Sequence, residues 1–236
     1  MLLMVLAGAC WLAACRSPRA AVLLPLPYLY HTTPWLKYRT KFVVYYLWLT
    51  AMSFVMIPVS LLRPGRVDNA RVGALLMLPL SPLLGIEWSV EGEVGLLARD
   101  EAAVIVANHQ SSVDLLGMFV IWGQLRRVAA LAKQSLLYTG TFGVTAALCG
   151  TVFVDRADKQ SAAARLNSAS LTLKEERTKL WIFPEGTRNG DRQVDMLPFK
   201  KGAFHVAVAS NLPILPIGKS QTVLPNIFIF FITNLT

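Results

Sequence analysis

Charge is scarce in this chain. Only 16% of its 236 residues are charged, against roughly a quarter in ordinary soluble domains. The deficit excludes the usual solvated globular composition. Acids are scarcer still: 14 Asp and Glu stand against 23 Lys and Arg, a formal net charge of +9. The basic residues form neither a long stripe nor a nucleic-acid-binding motif, so nucleic acid is not an expected partner. Cysteine is rare. Cys10, Cys15 and Cys149 are an odd number without metal-type spacing, which excludes a disulfide framework and a cysteine-based metal centre. No G-x-S-x-G is present, so the nucleophile elbow of the α/β-hydrolases is missing. Internal repeats and low-complexity linkers are missing too.

What is present is apolar sequence, concentrated in the first 90 residues. Residues 42–62 run for 21 positions without a charge, enough to span a bilayer with some tilt. Tyr45, Tyr46 and Trp48 lie near one end, where aromatic rings favour the interface. Lys37, Arg39 and Lys41 flank one side and Arg63, Arg66 and Arg71 the other, a placement suited to anionic lipid headgroups. Residues 1–30 form a second apolar stretch, broken by Pro25 and Pro27, and read as a membrane-embedded or interfacial hairpin. Residues 72–86, with Pro79 and Pro82, fit either a re-entrant piece or the first buried helix of a domain. These features place a membrane-embedded helical region at 1–85, with the break at Pro64 and Gly65.

From Ile86 the pattern changes. Ile86, Trp88 and Val90 alternate with polar residues, as in a strand. Residues 104–107 are continuously apolar, as in a strand buried on both faces. Further strands are expected at 128–132, 152–154, 180–183 and 214–217, and helices at 113–121, 135–148, 161–177 and 201–210. This alternation predicts an α/β domain over 86–217 with a largely parallel sheet flanked by helices. Sites in such sheets lie at the carboxyl ends of the strands, and two polar clusters follow strands directly.

The first is Asn108-His109-Gln110-Ser111-Ser112-Val113-Asp114. On a regular helix His109 and Asp114 would diverge by about 140°. They meet only if His109 lies in the loop and Asp114 in the first turn. Ser111 as N-cap would give that arrangement, with Asp114 at the third helical position of a capping box. A carboxylate on one imidazole nitrogen leaves the other to take a proton. The bland alternative is a helix cap beside a loop histidine. The second cluster is Glu185-Gly186-Thr187-Arg188. Gly186 permits close approach of a ligand, Arg188 offers a planar fork for phosphate, Thr187 adds a hydroxyl, and Glu185 would hold Arg188 or contact a substrate hydroxyl. Its bland alternative is a polar turn with a local ion pair. Lys200 and Lys201 precede a helix start suited to an anion. Gly218-Lys219-Ser220 mimics the end of a phosphate-binding loop, but Pro213 stands where the first glycine belongs, so that motif is rejected.

These residues resemble the glycerolipid acyltransferases. Residues 108–114 look like the family's H-x4-D block, Gly150-Thr151-Val152-Phe153-Val154-Asp155-Arg156 its second block, Phe183-Pro184-Glu185-Gly186-Thr187-Arg188-Asn189 its third, and Pro213-Ile214-Leu215-Pro216-Ile217 its fourth. Leu197-Pro198-Phe199-Lys200-Lys201-Gly202-Ala203-Phe204 is similar to the eukaryotic 1-acylglycerol-3-phosphate acyltransferases in particular. The resemblance implies that His109 is the general base and Asp114 orients it. It implies that Glu185, Gly186, Thr187 and Arg188 meet the glycerophosphate, that Arg156 adds an anion contact, and that Lys133 helps with an anion or the oxyanion. It implies acyl-CoA and lysophosphatidic acid as substrates, phosphatidic acid as product, the bilayer as partner, no metal or bound cofactor, and an integral membrane location at the endoplasmic reticulum. Another lysophospholipid or glycerol 3-phosphate is the alternative acceptor. Residues 218–236 do not resemble the family's continuation and are expected to be a divergent tail of a truncated carboxyl end. Within them, 227–232 read as an exposed aggregation-prone strand or a membrane contact, and a truncated, non-catalytic membrane protein is the contrasting outcome.

Overall fold

The structure, a computed structural model, describes residues 29–30, 32–189, 196–221 and 227–232. The expected hairpin at 1–30 lies almost wholly outside the described residues. Compactness divides the chain at Leu47/Trp48, within the first long helix, rather than at residue 85.

That helix, α1 (Pro34–Leu61), has 28 residues and is about 42 Å long at 1.5 Å per residue. It is long and apolar enough to cross a membrane, and only 17% of its apolar window is buried. A soluble core helix of this composition would be mostly covered. In its first part Tyr38 and Phe42 rings lie 4.8 Å apart and Tyr45 and Tyr46 rings 4.9 Å apart.

From Trp48 onward the chain builds a sheet flanked by helices. The 72–86 stretch folds as α2 (Asp68–Met77) and α3 (Leu80–Leu83). Ala74, Met77 and Leu80 are buried and α2 packs on a later helix of the domain, so the buried-helix alternative holds for this part. The remaining elements are β1 (Glu87–Gly92), α4 (Gly95–Ala98), β2 (Val104–Ala107), α5 (Asp114–Trp122), β3 (Val128–Lys133), a 3-10 turn (Gln134–Tyr138), α6 (Thr141–Leu148), β4 (Val152–Val154), α7 (Lys159–Glu175), β5 (Lys179–Ile182), α8 (Gly202–Ala209), β6 (Ile214–Gln221) and β7 (Ile227–Ile232). The strand order is β1-β7-β6-β2-β5-β3-β4. Every neighbouring pair is parallel except β6 and β7.

Central β2 and β5 are buried along their whole length, because helices cover both faces. On one face Val104, Val106, Leu180 and Ile182 pack with Leu166 and Leu173 of α7 and Val206 of α8. On the other, α2 and α5 pack together beside β3 and β1. Asp158 starts α7 two residues before the expected position, its side chain accepting from the Gln160 and Ser161 N–H groups, a standard N-cap.

Two expectations fail. The single helix over 135–148 is split: Thr139 N–H closes a 3-10 turn on Leu136 O at 3.1 Å, and Gly140 takes φ +68°, a left-handed conformation that stops a helix. Residues 218–236 are not a separate tail as far as they are described. β6 continues through Gln221, and β7 fills the gap between β6 and β1. Phe230 and Ile232 are buried, and Trp88 stacks on Phe228 and Phe230 at 4.9 and 5.3 Å. The 227–232 segment is therefore an interior strand of the sheet, not an exposed one.

Candidate active site

Parallel β2, β5, β3, β4 and β6 all end at one edge of the sheet, and their carboxyl ends carry the polar clusters. Asn108 and His109 follow β2, Glu185 to Asn189 follow β5, Lys133 closes β3 and Arg156 follows β4.

His109 lies in the loop and Asp114 opens α5. His109 Nδ1 is 3.0 Å from Asp114 Oδ2. The same Oδ2 accepts from the backbone N–H groups of Gln110 and Ser111 at 2.6 and 2.9 Å, and Ser111 Oγ donates to Oδ1 at 3.2 Å. The helix thus starts later than expected, and Val113, without a side-chain cap bond, stands at its N-cap position. Ser111 is a donor to Asp114 rather than the cap. The carboxylate instead folds back over its own loop and satisfies the N–H groups of Gln110 and Ser111. The imidazole lies flat on Phe183, ring centroids 4.1 Å apart and planes 20° apart, and its side chain is 23% exposed against 3% for Asp114. Nδ1 is committed to the carboxylate, which leaves Nε2 as the nitrogen for a substrate proton.

Burial alone would raise the Asp114 carboxyl. The His109 hydrogen bond, the Lys219 charge and hydrogen bond, and the Ser111 N–H outweigh it and hold the group below its ordinary value.

Glu185 is 2% exposed. Its Oε1 accepts from His109 N–H at 2.6 Å and its Oε2 from Leu197 N–H at 3.0 Å. Both oxygens are thus engaged with backbone, tying the β2 and β5 loops to the 196–201 segment. Asn189 N–H returns the tie, donating to His109 O at 2.8 Å. Gly186 has φ +71°, and a Cβ there would come within 2.9 Å of Lys200 Nζ, so the lysine side chain lies directly over the glycine. Arg156 donates to Gly186 O. Arg188 is exposed and donates to Ser112 Oγ, bridging the two motif loops. Thr187 and Lys133 are exposed at the same edge. No cluster of metal-ligating side chains occurs among the described residues.

Sequence reading missed Lys219. Its side chain is 2% exposed and its Nζ pairs with Asp114 Oδ1. Asn108 clamps its backbone: Asn108 Nδ2 donates to Lys219 O at 2.9 Å, and Lys219 N–H donates to Asn108 Oδ1 at 2.7 Å. The available signal was a lone lysine inside an apolar strand, where a buried charge is rarely found unpaired. Cys149, by contrast, is buried and its thiol is pushed up by that burial, which disqualifies it as a nucleophile.

A family profile described as Acyltransferase matches residues 90–220. The 1-acyl-sn-glycerol-3-phosphate acyltransferase alpha of Homo sapiens is 37% identical over 196 residues, 83% of this chain and 68% of its own length. The Bos taurus protein of the same name is 38% identical over 196 residues, 83% and 67% of the two lengths. The 1-acyl-sn-glycerol-3-phosphate acyltransferase of Saccharomyces cerevisiae is 40% identical over 140 residues, 59% of this chain and 45% of its own length. The crystal structure of the 1-acyl-sn-glycerophosphate (LPA) acyltransferase PlsC from Thermotoga maritima superposes with a TM-score of 0.60 at 23% identity, covering 82% of this chain and 81% of that one, a likeness of fold. With the dyad at the sheet edge and relatives of this identity and coverage, the chain belongs to the acyltransferase family, in the group of the 1-acyl-sn-glycerol-3-phosphate acyltransferases.

Proposed function

We propose that the chain transfers an acyl group from acyl-CoA to the sn-2 hydroxyl of 1-acyl-glycerol-3-phosphate, giving phosphatidic acid and CoA. The observation that carries this is the 3.0 Å contact of His109 Nδ1 with the buried carboxylate of Asp114, in a chain whose relatives are acyltransferases of that name. Nε2 takes the proton of the lysolipid hydroxyl as its oxygen attacks the thioester carbonyl. Asp114 stabilises the imidazolium that forms. The C–S bond then breaks, and the imidazolium returns its proton to the departing CoA sulfur. The acceptor hydroxyl is the nucleophile, so no serine or cysteine of the protein is needed.

Arg188, Arg156 and Thr187 are the groups for the glycerol phosphate, and Lys133 is the further cation for a CoA phosphate or the developing oxyanion. Glu185 and Gly186 serve it by shape, fixing the loop on which Arg188 stands. No cofactor takes part, and acyl-CoA is a co-substrate. Helix α1 and the membrane-derived substrates support membrane association; an integral location in the endoplasmic reticulum is the finer reading, with the lipid tails in the bilayer and the headgroup and CoA in water.

The test is transfer of labelled acyl-CoA by the whole chain in nanodiscs, with lysophosphatidate, glycerol 3-phosphate or no acceptor. Labelled phosphatidate formed only with lysophosphatidate is the expected result. CoA release at the same rate without acceptor would make the protein a thioesterase, and equal use of glycerol 3-phosphate would reassign the acceptor. Resistance of the chain to alkaline carbonate extraction from microsomes checks the membrane reading.

A further inference from the structure

Lys219 is a cation the reaction as written does not use. It sits near the end of β6, far from the motif loops in sequence, yet it reaches the carboxylate that orients the base. The two oxygens of Asp114 are divided between two partners: Oδ2 faces the His109 ring and Oδ1 the Lys219 ammonium. The ammonium also lies over the Phe228 ring of β7, 5.1 Å from its centroid, a favourable cation–π distance. A buried ammonium without a partner is strongly disfavoured, so carboxylate, ammonium and ring hold one another in place. Asn108, the residue before His109, fixes the lysine backbone through both its amide atoms.

We propose that Lys219 is a positioning residue for the base: it shares the charge of Asp114 and so sets the fraction of His109 that stands ready to accept a proton. The inference rests on His109 acting as the base. An unshared carboxylate would favour the imidazolium more strongly, and an imidazolium cannot take the hydroxyl proton. The charged groups around the dyad come from each neighbouring element. Asp114 belongs to α5, Glu185 and Arg188 to the loop after β5, and Lys219 to β6, while β7 contributes the uncharged Phe228. Glu185 is bound to backbone N–H groups and Arg188 to Ser112, so Lys219 is the cation paired with Asp114.

Lys219→Gln keeps a donor without the charge, Lys219→Met keeps the stem alone, and Lys219→Arg keeps the charge. Each is compared with the whole parent chain in nanodiscs by the pH profile of transfer and by the NMR titration of the His109 ring, assigned with His109→Ala. In the neutral variants the acidic limb and the ring titration move to higher pH by about one unit. The rate below the limb falls about tenfold and recovers above it, KM for lysophosphatidate stays level, and Lys219→Arg restores the parent profile. A limb and ring titration unmoved in all variants overturns the proposal. So does a loss equal at every pH, or loss of fold in both neutral variants, each of which assigns Lys219 to stability alone. If the parent transfers no acyl group, the proposed function fails, while the ring titration still decides for or against Lys219.

Discussion

Ion pairs occupy both ends of the parallel strands. At the amino ends, four acidic residues and four arginines line a cleft of about 490 Å³. Asp100 there pairs with Arg126 at 3.2 Å and with Arg177 at 3.3 Å. At the carboxyl ends lie His109, Asp114 and Lys219. Counted as charges, the amino end is the more conspicuous. The difference is solvent. Arg126 and Asp100 are 65% and 40% exposed, so water screens the pair and its worth is about 0–1 kcal/mol. Asp114 and Lys219 are 3% and 2% exposed, where an ionised group persists only with committed partners. The cleft is roomy and its charges balance. The proposed chemistry lies at the crowded end, where His109, Asp114 and Lys219 are held by one another.

Several substitutions would break or sharpen that contrast. After the base itself, Asp114→Ala should have the largest effect, about a hundredfold loss of kcat, with some loss of stability because Lys219 is left buried and without its carboxylate. Transfer assays and thermal melts of the same preparation check both. Arg188→Ala should come next, raising KM for lysophosphatidate about tenfold with a smaller change in kcat, as expected for an exposed phosphate contact. Initial rates against acceptor concentration separate the two parameters. Asp114 also predicts a pH effect on the fold. Its carboxyl is held below the ordinary value, so its contribution to stability is complete above about pH 4 and is lost as pH falls through the folded-state value. Melts between pH 3 and pH 6 should fall only at the acid end, and less in Asp114→Asn. The smallest effect belongs to the amino-end cleft. Asp100→Asn should cost about 1 kcal/mol or less and leave transfer at the parent rate; a large loss of activity would mean that the cleft takes part in the reaction.

Much of the carboxyl edge was legible because its pieces are local. The apolar run of β2, the loop histidine five positions before its carboxylate, and the Pro-Glu-Gly-Thr-Arg turn after β5 are short-range patterns. What escaped depends on residues far apart in the chain. Lys219 meets a carboxylate 105 positions earlier, and no local pattern announces that pairing. β7 looks like an aggregation-prone edge until Trp88 of β1 is laid beside Phe228 and Phe230. Glu185 offers the chemistry of a substrate ligand, and only its two backbone partners show that it braces the loops. The break at Gly140 was visible in principle, since a glycine after threonine is a ready helix stop, but the apolar period on either side concealed it.

The most direct test of chemistry at the carboxyl edge is labelled phosphatidate formed by the parent chain and by His109→Ala, side by side in nanodiscs at neutral pH. A loss of at least about a hundredfold in a folded variant is the expected result. Equal rates in the two proteins would remove His109 from the reaction and contradict the site described above.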